Sequence, residues 1–520
     1  MAKVYDNATD MITFARSSSG TALRRVGYGD ELVTDFSTYA DTAAMKAAGW
    51  SSATSTGTGD ISLVAGAMQL DSDTPSNRAR GSFAISTSVG RNYVVEYLAT
   101  GRANKNHNFK VGSVENGSQN FQALDVPAGT HAETFVATST TTYVTWGGFA
   151  AAGDETQIAN ISVKELFLDR ATDDLVLFNH PDDIPRIEYA ADGSLKGLLI
   201  EEQRTNLITY SEDFTHSSWE NVASLTPNIA TAPDGTATAT RLDADYLEIR
   251  PSVTSGTTYT YSIFIKSNGN TAPYIIATGT SFPNTRADFD LSNSSVTSST
   301  AEGAAISPVG AGWYRISITE TATATDSTSR LRLYGASAFI YGAQFEVGSF
   351  PTSYIPTSGG QKTRDPDIAS IPVSAFGYNQ TAGTVVVEFS KMYPDAAYSR
   401  FHAGFGADAS NYIGVGYGAS HLNYVRPLTG EVPISGVSAP PPGEFSTAAI
   451  GFDASGATSA VDGQSNSKTA TAAAPALSQS DTLYLGTSPF NPAVIASGHI
   501  KSLKYYPRRL TDAQLQTLTS

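Results

Sequence analysis

The 520-residue chain contains no cysteine, and this absence removes several kinds of site at once. Disulfide bonds, thiolate metal sites and thiol nucleophiles all need that side chain, so packing alone has to stabilise the fold. Charged residues are scarce too, at 16% of the chain, with 33 Lys and Arg against 49 Asp and Glu. No basic block could follow a phosphate backbone, so nucleic acid is not an expected partner.

Long apolar segments are also missing. The amino terminus lacks the basic start and apolar stretch of a signal peptide, and no run of about 18 apolar residues follows it. We therefore expect a protein that is made in the cytoplasm and is not inserted into a membrane. Gly, Ser, Thr and Ala are plentiful instead, within short runs of alternating polarity that predict all-β domains with many turns.

An internal repeat organises much of the chain. Each copy begins with an Asp-Phe pair and a tryptophan, continues with a strand opened by a tyrosine, and closes on an alternating strand. Because these features recur in the same order, we predict two related β-sandwiches of the jelly-roll type. The repeated segments are Asp35-Phe36, Trp50, 88–101 and 155–166 in the first copy, and Asp213-Phe214, Trp219, 252–267 and 337–348 in the second.

The segment between the copies, 185–214, contains LLIEEQRTNL followed by YSEDF. It resembles a connector of head-spike or tail-fibre virion proteins from tailed phages or gene transfer agents, in which an LLIE-like strand, an Arg-Thr-Asn-Leu tetrapeptide and a YSEDF start recur. Residues 34–168 depart from that pattern, because the first sandwich is inserted before the connector. Further similar segments are TFAR (13–16), SGT (19–21), PDGTATATRL (233–242) and SFPTSYIPTSG (349–359).

The carboxy-terminal residues form another β unit that closes on a short helix. Phe452-Asp453, Val461-Asp462-Gly463 and the segment 506–511 resemble turns of the concanavalin A-like lectin or laminin-G sandwich. Thr511 is a suitable N-cap for the helix, whose leucines would face the sheet.

The predicted fold is all-β, with tandem jelly-roll sandwiches followed by a concanavalin A-like sandwich. We expect the connector to pair with the arm around Met11 to Phe14, with Arg204 and Asn206 bound to backbone groups. The predicted parts are an amino-terminal arm (1–33), an inserted jelly roll (34–168), a connector (169–212), a second jelly roll (213–348), a Pro-rich linker (349–378) and the concanavalin A-like module (379–520).

Motifs for catalysis and for cofactors are missing from the sequence, and the seven histidines are scattered. We expect no enzyme activity, no cofactor and no metal. Glycan hydrolysis needs two carboxylates about 5–10 Å apart. Glu388 stands alone on its predicted strand, and adjacent pairs such as Glu201-Glu202 would point to opposite faces. Carboxylates distant in sequence could still converge, so hydrolysis stays open.

Sugar-binding sites combine a flat aromatic ring with amide, hydroxyl and guanidinium groups. The carboxy-terminal module supplies such groups near three glycines, although the tyrosines could fill its core instead. The candidates there are Tyr412, His421, Tyr424 and Arg426, beside Gly414, Gly416 and Gly418. Elsewhere they are Trp50, Tyr93, Trp146, Trp219, Tyr246, Trp313 and Tyr314, of which the tryptophans are more often core residues.

The resemblance implies a virion surface fibre or spike subunit that attaches to host cell-surface glycans without cutting them. Its partners would be host surface polysaccharide and other virion proteins, and it would form a homo-oligomer, with a trimer as one form. Two alternatives stay open, a purely structural decoration or connector protein and a capsule-degrading glycan hydrolase.

Overall fold

The computed structural model confirms the all-β class. Most of the described residues lie in strands, with two short helices, α1 (Thr42–Ala47) and α2 (Asp512–Thr519), and 3-10 turns at Phe36–Thr38 and Val373–Ala375. Within them, no helix has the length and hydropathy needed to span a bilayer. The structure describes residues 12–52, 60–71, 79–101, 107–126, 128–148, 156–180, 184–220, 224–243, 245–283, 285–335, 337–393, 400–408, 410–417, 421–426, 430–431, 440–469, 482–488 and 491–520.

The strands are numbered in chain order. The first are β1 (Thr13–Ala15), β2 (Gly20–Glu31), β3 (Ser51–Ser52), β4 (Asp60–Val64), β5 (Ala67–Asp71), β6 (Arg80–Ser86), β7 (Asn92–Gly101), β8 (His107–Gly112), β9 (Phe121–Val126), β10 (Gly129–Val136), β11 (Thr141–Gly148), β12 (Thr156–Leu168) and β13 (Asp174–His180). The next are β14 (Arg186–Tyr189), β15 (Leu195–Ile200), β16 (Arg204–Asn206), β17 (Trp219–Glu220), β18 (Leu225–Ala230), β19 (Ala239–Leu242), β20 (Tyr246–Ile249), β21 (Thr258–Ser267), β22 (Tyr274–Thr278), β23 (Thr285–Asp290), β24 (Ser295–Ser299), β25 (Gly303–Gly310), β26 (Trp313–Thr321), β27 (Arg330–Tyr334) and β28 (Ala338–Val347). The last are β29 (Lys362–Arg364), β30 (Ile368–Pro372), β31 (Gly383–Lys391), β32 (Arg400–Asp408), β33 (Asn411–Tyr417), β34 (His421–Arg426), β35 (Gly430–Glu431), β36 (Phe445–Asp453), β37 (Gly456–Val461), β38 (Gln464–Thr469), β39 (Thr482–Leu485), β40 (Thr487–Ser488), β41 (Asn491–Ile495) and β42 (Gly498–Tyr506).

The chain folds into two compact units. Arg25–Asp174 form one of them, and Leu175–Ser520 with the described part of Met1–Arg24 form the other. The chain leaves the larger unit within β2 and returns to it at β13. The smaller unit is therefore an insertion, and the larger unit contains the second jelly roll and the carboxy-terminal sandwich.

The inserted sandwich and the second sandwich share one strand order. The first has sheets β3-β6-β11-β8-β9 and β4-β5-β12-β7-β10, and the second has β17-β20-β27-β22-β23 and β18-β19-β28-β21-β26. Each of these strands has its counterpart at the same place along the other copy, whereas β2 and β13, which join the first copy beside β12, have none. The second copy adds β24 and β25, one at the edge of each sheet. This agreement confirms the internal duplication.

Local contacts repeat as well at the start of each copy. The Asp35 carboxylate accepts a hydrogen bond from the Ser37 backbone N–H at 3.0 Å, and Asp213 accepts one from Thr215 at 3.0 Å. In each copy the neighbouring phenylalanine contacts the repeat tryptophan, with ring centroids 4.6 Å apart in the first and 5.1 Å in the second. The Asp-Phe pair therefore fixes a turn and then anchors it in the core.

The tyrosine that opens each middle strand also has one role in both copies. Its hydroxyl accepts a hydrogen bond from a backbone N–H five residues earlier, Ser88 to Tyr93 at 2.8 Å and Thr254 to Tyr259 at 3.0 Å. Both rings are buried. Tyr93 is thus a core residue and not a binding platform.

The carboxy-terminal sandwich takes strands from distant parts of the chain. Its sheets are β1-β30-β39-β32-β33-β34-β35 and β14-β15-β42-β31-β36-β37-β38, with an apolar core between them. Helix α2 covers the outer side of the second sheet, where Leu510 and Leu515 are buried. Thr511 caps this helix, and Gln514 completes a capping box.

The predicted pairing of the connector with the arm around Met11 to Phe14 is wrong at Phe14, and Met11 lies outside the described residues. The connector meets the arm elsewhere, since β13 lies next to β2. Strand β1 pairs with β30, and β15 pairs with β42 and β14. Phe14, Leu198 and Ile200 nevertheless share one core, since β1 and β15 supply opposite sheets of the same sandwich. Burial of these apolar side chains determines where each segment lies, and the backbone pairs with whichever strand edge is adjacent.

Candidate functional site

Three tyrosines form a row across the outer face of one sheet in the second sandwich. Tyr246, Tyr334 and Tyr274 lie on the adjacent strands β20, β27 and β22 and are direct cross-strand partners. Their alternate neighbours Leu247, Leu333 and Ile275 point into the core, which leaves the rings on the outer face. We call these three residues the tyrosine row.

The rings of the tyrosine row contact one another. The centroids of Tyr246 and Tyr334 are 5.1 Å apart, and Tyr274 stacks on Tyr334 at 4.5 Å with an angle of 9° between the ring planes. All three side chains are partly exposed. A sugar ring can stack on such a surface through its C–H groups, because the rings are flat, apolar and held in place by their neighbours.

Arginines surround the tyrosine row. The Arg286 guanidinium lies over Tyr274, 4.0 Å from the ring centroid, and that of Arg332 lies over Tyr246 at 4.8 Å. Arg250 and Arg330 approach the same face beside Glu248. We call these four residues the arginine set.

Glu248 is the centre to which most of the arginine set binds. Arg332 and Arg250 hydrogen-bond its carboxylate, and the Arg330 Nε lies 3.5 Å from it. Burial alone would raise the pKa of Glu248, but these hydrogen bonds and charges hold the pKa below its ordinary value. Because its pKa is lowered, Glu248 stays charged although its side chain is only 2% exposed. Its carboxylate orients the guanidinium groups that bind it.

The corresponding face of the inserted sandwich has different residues. Strands β6, β11 and β8 occupy the places of β20, β27 and β22. On their outer face the rows of cross-strand partners are Ala84-Tyr143-Gly112, Ser82-Thr145-Lys110 and Arg80-Gly147-Asn108. One fold thus forms with three contiguous rings across these strands in one copy and with a single tyrosine in the other. The tyrosine row is not required by the fold, which marks it as the candidate binding surface.

The predicted site in the carboxy-terminal module is not supported at Tyr412. This side chain is only 5% exposed, and its ring packs edge-on against Phe401 at 5.6 Å. Phe401 in turn occupies the space above Gly414, where a Cβ would lie 2.4 Å from the ring. The glycine therefore makes room for a core ring and not for a ligand.

The other candidates of that module lie on β34. The backbones of Tyr424 and Arg426 pair with those of Gly414 and Tyr412, and His421 pairs with Tyr417. The side chains of His421, Tyr424 and Arg426, and the whole of Gly418, lie outside the described residues. Their assignment as glycan ligands stays a prediction.

The tryptophan candidates belong to the cores of both jelly rolls. Trp50, Trp146, Trp219 and Trp313 are each at most 2% exposed. Tyr314 is half-buried against the core of the second sandwich. Of the aromatic candidates in the two jelly rolls, Tyr246 is the one that lies in the tyrosine row.

Asn206 binds backbone groups, whereas Arg204 does not act as expected. The Asn206 amide donates to the carbonyls of Ala343 and Ile355 and accepts from the N–H groups of Ile208 and Phe345. It thus ties the connector to the second sandwich. The Arg204 guanidinium instead pairs with two carboxylates, Glu202 at 2.6 Å and Glu346 at 3.5 Å.

A buried cluster of charges lies near the connector. Arg16, Arg186 and Arg364 bind Glu201 and Asp367, and all five side chains are 0% exposed. We call these residues the ion cluster. It joins the arm, the connector and the segment before β30. Its charges are fully enclosed, so the cluster holds the junction together and offers no site to a ligand.

The structure brings together two groups of titratable residues whose members are distant in sequence. Their contacts could not be predicted from patterns along the chain. In the first, His499 lies between Ser390 and Glu188, with its Nδ1 3.1 Å from the serine hydroxyl and its Nε2 2.6 Å from the carboxylate. This chain of contacts is similar to that of a serine hydrolase. Ser390 is only 1% exposed, however, so the hydroxyl is closed to a substrate.

The second group brings two carboxylates to one hydroxyl. The Tyr341 hydroxyl lies 3.1 Å from Glu212 and 2.9 Å from Asp234. Burial and the nearby Asp234 raise the pKa of Glu212, against hydrogen bonds from Tyr354 and Tyr341. A carboxyl group with a raised pKa beside a carboxylate is an arrangement that glycan hydrolysis uses. Here the Tyr341 hydroxyl contacts both groups and takes the place where a substrate oxygen would lie.

Metal ligation has no support among the side chains described. They include no group of three or more His, Asp or Glu residues that could hold a metal ion. Asp234 instead accepts hydrogen bonds from Thr236 within its own turn.

Neither a protein-family model nor a curated protein matches this chain. A module of the Ruminococcus gnavus IT-sialidase, CBM40 bound to α2,3 sialyllactose, is 17% identical over 27% of this chain and 84% of its own, with a TM-score of 0.23. The tandem CBM22 domains of Paenibacillus barcinonensis Xyn10C are 10% identical over 62% and 98%, with a TM-score of 0.19. Mouse laminin α1 domains LG4-5 are 11% identical over 63% and 96%, with a TM-score of 0.19. Likenesses this weak carry no functional assignment, and the fold of this chain rests on its own sheets.

Proposed function

We propose that this chain is a surface subunit of a tailed-phage-like particle and binds host cell-surface glycans without cutting them. The observation that carries the binding function is the tyrosine row of the second sandwich. It offers contiguous, partly exposed rings next to guanidinium groups, which are the two kinds of partner that a sugar requires.

The duplication supports a functional role for this surface. Residues that merely stabilise a jelly roll should recur in both copies, as the Asp-Phe turn and the strand-opening tyrosine do. On the corresponding face of the inserted sandwich Tyr143 has Ala84 and Gly112 as its cross-strand partners, so no row of three rings forms there. Its aromatic rings also remain partly in water, where burial of apolar surface gains less than it would in a core.

The virion setting is supported by the connector sequence. The LLIEEQRTNL and YSEDF segments resemble those of head-spike and tail-fibre proteins. The connector is also an integral part of the fold, since β15 lies within a sheet of the carboxy-terminal sandwich. A repeated particle subunit would present many weak glycan sites together, and avidity would then compensate for modest single-site affinity.

Glycan binding is tested with the whole chain on an array of bacterial surface polysaccharides. Replacement of Tyr334 by Ala should weaken binding about tenfold, since an aromatic contact contributes about 0.5–1.5 kcal/mol beyond the area it buries. Tyr28→Ala is the matched control, because that tyrosine is 50% exposed and belongs to the inserted unit. Equal loss in both variants, or no loss in either, would place the site elsewhere.

The virion setting needs a separate experiment. Antibodies against this chain, followed by gold labelling of intact particles, should mark the particle surface and block adsorption to host cells. A chain that labels particles but binds no glycan would be the structural decoration protein of the first alternative.

The second alternative, a glycan hydrolase, has one observation in its favour, the Glu212 and Asp234 pair. Incubation with the glycans that bind, followed by chromatography, distinguishes the two functions. Shortened oligosaccharides that disappear with Glu212→Gln would establish hydrolysis, whereas recovery of the intact polymer agrees with binding alone.

A further inference from the structure

We propose that the glycan bound by the tyrosine row is an acidic one, whose carboxylate groups bind the arginine set. This inference rests on the proposed function and names its ligand class. It follows from how charge is arranged around the row and not from the rings themselves.

Two of the four arginines are more exposed than the carboxylates that pair with them. The side chains of Arg330 and Arg286 are 45% and 46% exposed, whereas Glu248 is 2% and Asp288 is 27% exposed. The third carboxylate, Glu220, is half-exposed and pairs with Arg250 at 2.6 Å beyond the Tyr246 end of the row. A ligand on Tyr334 and Tyr274 would therefore meet the guanidinium groups of Arg330 and Arg286.

This surface stands out against the charge of the whole chain. The formal net charge is −16, so an anionic polymer would be repelled by most of the protein. Around the row four arginines lie among the three carboxylates that pair with them and Asp290, whose carboxylate accepts hydrogen bonds within its own turn. Guanidinium groups gathered in this way can attract an anion at short range, where salt does not fully screen them.

The contacts of the arginines also favour a planar anion. Arg286 and Arg332 lie over tyrosine rings, which holds their guanidinium planes in place. Arg330 contacts Glu248 through Nε at the longer distance of 3.5 Å. A carboxylate offers two oxygens at the spacing of two guanidinium N–H groups, and such paired contacts are stronger and more specific than those to a neutral hydroxyl.

The arrangement predicts a geometry for the ligand. The Arg330 and Arg332 side chains lie on the same strand as Tyr334, at positions that face the same side of the sheet. A saccharide unit stacked on the tyrosine row would place a ring carboxylate toward these two arginines. Uronic and sialic acids are sugars that carry such a group.

The test uses the full chain and an array in which each acidic bacterial polysaccharide is printed twice, once native and once after chemical reduction of its carboxylates to alcohols. Chain length and linkage are unchanged within each pair. We expect binding to native polymers to exceed binding to their reduced partners by about tenfold, the size typical of one hydrogen bond to a charged group. Binding should also weaken as salt is raised.

Variants identify the groups responsible. Arg330→Gln should lose about tenfold in binding to the native polymer and little to the reduced one, and Arg330→Lys should retain part of the preference. Arg241→Gln is the control, because Arg241 lies on the other sheet of the same sandwich, 36% exposed and paired with Asp243. Thermal unfolding of each variant verifies that the sandwich is intact.

The outcomes separate this inference from the proposed function. Equal binding to native and reduced polymers, or an unchanged preference in Arg330→Gln and Arg286→Gln, would overturn the acidic ligand while glycan binding stands. No binding to any polymer would overturn both. A preference for native polymers that only the arginine variants lose is the result that the structure predicts.

Discussion

Tyrosines with similar sequence surroundings differ in exposure in this protein. Tyr246 and Tyr412 both occur in alternating strands, and both are candidates for sugar stacking on sequence grounds. Tyr246 lies on the outer face of its sheet, whereas Tyr412 packs against Phe401 at 5% exposure. What separates them is which face of each strand is covered, and that depends on partners distant in sequence.

The burial of Tyr412 changes the expected result of its replacement. Tyr412→Ala should destabilise the carboxy-terminal sandwich by about 3–5 kcal/mol, since it opens a cavity next to Phe401. Denaturant unfolding of the full chain, compared with Tyr28→Ala, measures this effect. Unchanged stability combined with loss of glycan binding would restore Tyr412 as a ligand residue.

Glu212 provides a pH-dependent prediction. Its pKa is raised in the fold, so its contribution to stability is fully present below the ordinary pKa of a glutamate, about 4.3, and is lost as pH rises through the folded pKa. Glu212→Gln keeps an acceptor for Tyr354 and Tyr341 without the buried charge. We expect the variant to be more stable at neutral pH, with a difference that vanishes near the ordinary pKa.

Chemical unfolding at a series of pH values measures this difference, and Glu302→Gln serves as an exposed control. A variant that is less stable than the wild type at neutral pH would contradict the prediction. It would mean that the hydrogen bonds to the charged carboxylate outweigh the cost of its burial.

At the scale of elements, the arm, the connector and the segment before β30 depend on the ion cluster. Glu201 accepts hydrogen bonds from the backbone and hydroxyl of Ser353 at 2.7 and 2.6 Å. Burial would raise the pKa of Glu201, but the charges of Arg364 and Arg186 and these hydrogen bonds lower it to about 2. The depressed pKa means that the stability it contributes is present above the ordinary glutamate pKa and is lost as pH falls toward 2.

Arg186→Met should therefore destabilise the larger unit by about 3–5 kcal/mol at neutral pH, because it leaves buried carboxylates with fewer partners. The loss of stability in acid should begin at a higher pH than in the wild type, since the pKa of Glu201 rises. Urea unfolding at several pH values measures both effects. Arg241→Met, at a partly exposed pair, is the control.

At the scale of the whole molecule, the inserted unit follows the rule that insertions need neighbouring ends. The chain enters it through β2 and leaves it through β13, and these strands are neighbours in a sheet. Within the unit, the Asp169 N–H donates to the Arg25 carbonyl at 3.0 Å, so its two ends meet. The insertion can therefore be accommodated without separating the strands that flank it.

This placement predicts two independent folding units. Residues 25–174 expressed alone should fold, and a chain in which a short Gly-Ser turn joins Arg24 to Leu175 should keep the glycan binding of the tyrosine row. Calorimetry of the full chain should resolve two transitions, one of which matches the isolated insertion. A single transition, or an insertion that is unfolded alone, would contradict the prediction.

The duplication illustrates how much of the fold could be predicted. The Asp-Phe pairs, the tryptophans and the strand-opening tyrosines are local signals with local hydrogen bonds, and they suffice to predict the repeat and its class. The pairing of β15 with β42 could not be predicted in this way. It joins residues that are about 300 positions apart in the sequence. The alternation of apolar and polar residues indicates which face of a strand is buried, but it does not identify the partner strand.

Patterns along the chain are enough for the all-β class, the two related sandwiches and the buried tryptophans, because periodicity and turn residues act over short distances. Which tyrosines face solvent, which carboxylates meet and which charges are enclosed depends instead on the folded arrangement. Tyr246, Tyr334 and Tyr274 become one surface because three strands far apart in the chain align in register. Contacts of that kind depend on strand order, which follows from how the apolar faces of the whole chain are buried together.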